Sequence, residues 1–139
     1  MSSHIGWAPP GLSNVGSYQV AGQPYISGST SHEALRELKY EFPYVTKNVT
    51  VVNHSSNTIR VHFNSTSSGE GVIDGLHYVE LDSDEDSYTF NAKCKEIYVS
   101  APANGGDAQY RVIAELTGID RMSMYDLTGS GLTTPMRAI

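Results

Sequence analysis

The chain has 139 residues and a formal net charge of −6, the length of one domain that can bury about two thirds of its unfolded surface without staples. The acidic balance argues against nucleic acid as a partner, because phosphates need a basic face. A single cysteine, Cys94, excludes an intrachain disulfide and any cysteine-based zinc site, and its strand-like surroundings read as those of a small core hydrophobe.

No basic stretch followed by an apolar one opens the sequence, and no run of about 18 apolar residues occurs in it. The expectation is a soluble chain with no membrane partner and no cleaved export signal. Residues 1–16 have no period and hold the single tryptophan, Trp7, beside Pro9 and Pro10. Such a segment makes no core of its own and is expected to run as an extended arm. Its anchors on a partner would be Trp7 and Ile5, because large apolar side chains carry most of the energy of an interface, with Pro9, Pro10 and Leu12 as further expected partner contacts. His4 lies in the same arm.

The expected folded body is 17–117. Ser17-Tyr-Gln-Val20 and Gln23-Pro-Tyr-Ile26 read as a short strand pair or a bent edge strand, since Pro24 suits an edge. Thr30-Ser-His-Glu33 matches a capping box, where a single helical turn is expected to begin. Leu38, Tyr40 and Phe42 alternate with Lys39 and Glu41, which predicts a strand over 37–42 that Pro43 bends into the next. In Tyr44-Val-Thr-Lys-Asn-Val-Thr-Val-Val-Asn53, Val45, Val49 and Val51 are expected to point one way and Thr46, Asn48 and Thr50 the other. After a turn at 54–57, Ile59, Val61 and Phe63 are expected to face inward and Arg60 and His62 outward. A loop at 65–71 precedes strands at 77–81, 88–91, 94–99 and 109–116. In the last of these Tyr110, Val112, Ala114 and Leu116 share a face opposite Arg111 and Glu115. The predicted fold is all-β: an antiparallel β-sandwich, jelly-roll-like, of about eight strands with an N-terminal arm and a C-terminal tail.

The tail, 118–139, carries Met122, Met124, Tyr125, Leu127, Met136 and Ile139, too many apolar side chains for a free end. Two readings stand: the tail folds back over its own sandwich, or it straps a neighbour.

Sharper motifs fare poorly. Asp82-Ser-Asp84-Glu-Asp86 opens like a calcium loop, but Ser87 and Lys93 stand where an EF-hand needs glycine and glutamate. A charged hairpin turn that guards the adjoining strands is the simpler reading. His32, His54, His62 and His77 have no helical ligand spacing, and His54 and His62 are expected to be solvated. Asn48, Asn53 and Asn64 head glycosylation acceptor patterns that mean little without export. Neither a nucleophile elbow nor a facing pair of carboxylates is evident. The expectation is no enzyme and no cofactor or metal.

The order Asn-Val-Gly-Ser-Tyr-Gln-Val-Ala-Gly-Gln-Pro-Tyr, Phe-Pro-Tyr-Val-Thr, Val-Thr-Val-Val-Asn, Ile-Arg-Val-His-Phe, Tyr-Val-Glu-Leu-Asp-Ser-Asp-Glu-Asp-Ser-Tyr-Thr-Phe and Lys-Glu-Ile-Tyr-Val-Ser-Ala, over about 10–117, resembles small virion structural proteins of tailed bacteriophages, especially those of marine bacteria. Many such proteins are capsid decoration (cement) proteins, and related sandwiches sit at the neck, tail or fibre. The resemblance implies a virion location on the outer capsid surface, the major capsid protein as partner and a homo-oligomer, with a trimer as one candidate. It carries no catalytic residues. An alternative of another class is a carbohydrate-binding or adhesion module, with Tyr78, Tyr88, Tyr98 and Tyr110 as aromatic surface.

Overall fold

A computed structural model of the protein describes residues 22–66, 76–83, 85–102 and 106–127. Eight strands form among them: β1 (Gln23–His32), β2 (Glu37–Glu41), β3 (Tyr44–Asn53), β4 (Ile59–His62), β5 (Val79–Leu81), β6 (Ser87–Phe90), β7 (Glu96–Ser100) and β8 (Ala108–Asp120). They build two four-stranded sheets, sheet A in the order β1-β8-β3-β6 and sheet B in the order β2-β7-β4-β5, and every pairing is antiparallel. The chain therefore pairs as one long hairpin: β4 with β5 at its tip, then β3 with β6, β2 with β7 and β1 with β8. Rolling that hairpin closes it through β3–β8 and β4–β7, and the result is the eight-stranded jelly roll.

The core lies between the sheets. Val49 and Val51, Ile59 and Val61, Ile97 and Val99, and Tyr110, Val112, Ala114 and Leu116 point into it, with Phe42 at the corner where β2 gives way to β3. Phe42 meets Tyr25 edge to face, with ring centroids 4.9 Å apart. Pro43 breaks the strand as expected, but the chain crosses to the other sheet there. Cys94 is buried in the same core. Burial pushes its thiol up to about 11, which suits a packing role.

Four expectations need correction. Thr30–His32 does not start a helix; it ends β1, because the His32 ring is drawn into a buried hydrogen-bond network. Val45 does not share a face with Val49 and Val51. A bulge lies between Thr46 and Asn48, the extra residue inverts the alternation, and Thr46 becomes buried against Cys94. Val45 joins Ile119 and Met124 in a second, smaller cluster instead. That inversion is pinned on β8 by Thr117, whose hydroxyl donates to the Val45 carbonyl (2.7 Å) and accepts from the Ile119 amide (3.1 Å). The acidic segment 82–86 joins β5 of sheet B to β6 of sheet A, so it is a crossover and not a hairpin. His62, the fourth, is buried.

The crossover at 54–58 is tied down by the fully buried Asn53. Its amide donates to the carbonyls of Asn57 (2.8 Å) and Leu81 (3.0 Å), and its oxygen accepts from the Ser55 amide (2.9 Å) and hydroxyl (3.0 Å). All four hydrogen-bonding capacities of the side chain are used.

Candidate interaction surface

The two outer faces differ in kind. Sheet B turns outward a lattice of charge: Glu37, Lys39 and Glu41 on β2, Glu96, Tyr98 and Ser100 on β7, Arg60 and His62 on β4 and Glu80 on β5, held in rows by the register. Lys39 lies between Glu41 (3.5 Å) and Glu96 (3.4 Å), and Arg121 bridges the same two carboxylates. The Arg121 guanidinium holds the Glu41 carboxyl below its usual range. Arg60 pairs with Glu80 at 3.5 Å and lies over the Tyr78 ring.

Sheet A turns outward small and β-branched side chains. The register sets Ile26, Ile113, Thr50 and Thr89 in one row across all four strands. On one side of it run Pro24, Glu115 and Asn48, and on the other Gly28, Arg111, Val52 and Ser87. Gly28 is required: a Cβ there would lie 2.3 Å from the Tyr110 carbonyl oxygen.

His62 is where sequence alternation misleads most. Its ring stacks on Tyr98 (centroids 5.9 Å apart, planes 6° apart). Its Nδ1 lies 2.6 Å from the Asn64 carbonyl, which can only accept, so Nδ1 carries the proton and Nε2 accepts from the Ser100 hydroxyl at 3.1 Å. Glu37 lies 3.5 Å from Nε2 and also binds the Ser65 hydroxyl and Thr66 amide. Burial holds the imidazole below its ordinary range. The Ser100–His62 contact has the spacing of a nucleophile and base, but the Asn64 carbonyl holds the ring and Tyr98 covers it. What the contact does is tie β4 to β7.

A second network lies inside the sandwich. His32 Nε2 is 2.8 Å from the Arg36 carbonyl and Nδ1 is 2.7 Å from the Tyr110 hydroxyl, which is 2.8 Å from that of Tyr40. With a neutral imidazole, Nε2 must donate to the carbonyl. Nδ1 then accepts from Tyr110, and Tyr40 donates to Tyr110. Burial pushes the Tyr110 hydroxyl far up from its ordinary pKa, so it remains a donor.

The described part of the tail folds back over its own body, the first of the two readings. Beyond Leu116, β8 continues to Asp120, whose side chain accepts from the Met122 amide (2.9 Å) and caps a 3₁₀ turn, Arg121–Ser123. Met124 is buried with Val45 and Ile119, and Leu127 packs beside both clusters. Lys95 fastens this segment through Asp126 (2.7 Å) and the Met124 carbonyl (3.2 Å), and Asn64 donates to the Leu127 carbonyl (2.7 Å). Lys95 holds the Asp126 carboxyl below its ordinary range. Between this segment and sheet B lies a groove of about 430 Å³, flanked by Lys39, Glu96, Tyr98 and Tyr125. Met122 and Tyr125 are 84% and 69% exposed.

Of the expected partner-binding residues, then, Met124 and Leu127 are spent on the protein's own core, and Met122 and Tyr125 are presented outward. Ile5, Trp7, Pro9, Pro10, Leu12, Met136 and Ile139 lie outside the described residues, as does the expected strand at 17–20. The tyrosines form no common platform: Tyr110 is buried, Tyr98 lies between His62 and Lys39, and Tyr88 packs edge-on against Phe90. Comparison with known proteins finds no matching family model, no matching curated protein and no matching solved structure.

Proposed function

We propose that the chain is a virion structural protein of a tailed bacteriophage, a capsid decoration protein that braces the head by binding several major capsid subunits. The observation that carries this reading is the division of labour in the tail. Met124 and Leu127 clamp the segment to the sandwich while Met122 and Tyr125 stand exposed beside them, as side chains offered to a neighbour would. The sequence resemblance supports it, and the jelly roll is a recurrent capsid fold, although a fold alone does not assign a function. A decoration protein needs a body that folds by itself and ends that spread its contacts. Spreading contacts raises affinity through effective concentration, and apolar anchors such as Trp7 offset the entropy lost on docking.

The test is binding to undecorated heads by the full chain and by a variant lacking residues 1–16. The expected result is that the full chain binds at a copy number comparable to that of the capsid protein, while the shortened chain keeps its β-rich circular dichroism and no longer binds. A copy number matching a single ring would move the protein to the neck or tail. Undiminished capsid occupancy without residues 1–16 would remove the arm from the account.

A further inference from the structure

We propose that the outer face of sheet A is a contact surface between two copies of this chain, related by a two-fold axis that runs across the strands and passes at Ile113. The face has an exposed apolar centre, Ile26 (65% exposed) beside Ile113 (38%), and Thr50 and Val52 continue it on β3. Its rows from Pro24 to Gly28 carry only two charged residues among the described ones, and these are of opposite sign: Arg111 and Glu115, on the same strand, two residues to either side of Ile113.

That placement is self-complementary. At about 3.3 Å of rise per residue, the two charges sit roughly 7 Å before and after Ile113. A two-fold axis across the strands reverses β8 against the partner's β8. Arg111 of each copy then faces Glu115 of the other, and isoleucine meets isoleucine between them. An axis along the strands would set Arg111 on Arg111 and Glu115 on Glu115. Arg111 has no anionic partner among the described residues, and Glu115 accepts a hydrogen bond from Asn48 at 3.0 Å, so both charges are available for that reciprocal contact. Sheets packed face to face sit about 10 Å apart and within about 30° of alignment, close enough for these side chains to meet. A two-fold contact uses one patch twice, whereas a ring uses two different patches. This pattern specifies two-fold symmetry in place of the trimer suggested by the resemblance.

The test is the mass of the full chain in solution by sedimentation velocity over a range of concentrations, which needs no capsid and so stands apart from the decoration reading. The expected species is a dimer that dissociates on dilution. Glu115→Arg, which sets arginine against arginine, should weaken it by about tenfold or more. The double reversal Arg111→Glu with Glu115→Arg should restore most of that loss, since the reciprocal pairing returns with its signs exchanged. Ile113→Asp should abolish the dimer. Residues 111, 113 and 115 are exposed, and thermal unfolding of each variant reports whether the fold is kept. A chain that is monomeric at every concentration overturns the proposal. So does an oligomer unmoved by both Glu115→Arg and Ile113→Asp, and so does protection of this face only on capsids, which would assign it to the shell.

Discussion

The hydroxyl of Tyr110 has two neighbours whose chemistry orders the chain Tyr40 to Tyr110 to His32 to the Arg36 carbonyl. That order makes the two tyrosines unequal. Tyr110→Phe leaves the buried Nδ1 of His32 without a donor and strands the Tyr40 hydroxyl, at a cost of about 2 kcal/mol. Tyr40→Phe only removes a donor from a hydroxyl that still serves His32, and should cost about 1 kcal/mol or less. Urea unfolding of the two variants checks this, and equal losses would contradict the direction assigned. His62 offers a prediction in pH. Its folded value is depressed by burial below the ordinary 6.5 at which the unfolded chain titrates. Above that value its contribution is complete. As the pH falls below it, the unfolded state takes up a proton that the folded state refuses, and stability declines until the folded value is passed. Glu41 and Asp126, depressed from 4.5 and 3.8, lose their contributions only at lower pH. Unfolding free energies measured from pH 7 downward should therefore decline first in the histidine range, and His62→Gln should flatten that part of the curve.

At the scale of elements, β3 and β8 each serve two cores, and the bulges between them make that possible. Before the bulge, Val45 faces Ile119 and Met124; after it, Val49 and Val51 face the main core. The segment after Asp120 is thus part of the body as far as Leu127, held there mainly by Met124. Met124→Ala should cost about 2–3 kcal/mol by leaving a cavity. Met122→Ala, two residues away and exposed, should change stability by no more than about 0.5 kcal/mol. Thermal unfolding of the two variants separates them, and comparable losses would mean that the segment is held some other way. The same elements show what the sequence could reveal. Strict alternation from Tyr110 to Leu116 and at Ile59 and Val61 was legible because period two is all that a half-buried strand asks of its residues. Thr46 and Val45 were not, because one inserted residue exchanges the two faces and leaves no mark in composition. His62 was not, because burial on an outer face depends on Tyr98, which a different strand brings to it. The outward side chains of the tail were legible as apolar, but which of them the body would keep depended on the small core that the bulge creates.

For the whole molecule, the winding of the chain sets how it must fold. Among the described strands, only β4 and β5, at the tip of the rolled hairpin, are neighbours both in chain order and in a sheet; Gln23 pairs with Leu116 near the opposite ends of the described chain. Sheet A cannot be completed until β8 lies between β1 and β3, so its closure waits on contacts that carry the largest loop-closure entropy. Such non-local β topologies fold in about milliseconds to seconds, well behind helical domains of similar size. The transition state is expected to contain the tip and the β4–β7 pairing, with the β1–β8 pairing still open. Val61→Ala should therefore slow refolding, while Tyr25→Ala should mainly speed unfolding. Stopped-flow circular dichroism after dilution from urea is a suitable probe, since it follows the formation of the sheets themselves. If Tyr25→Ala slows refolding as much as Val61→Ala does, the hairpin is not rolled from its tip, and the pairing of the two ends comes early instead.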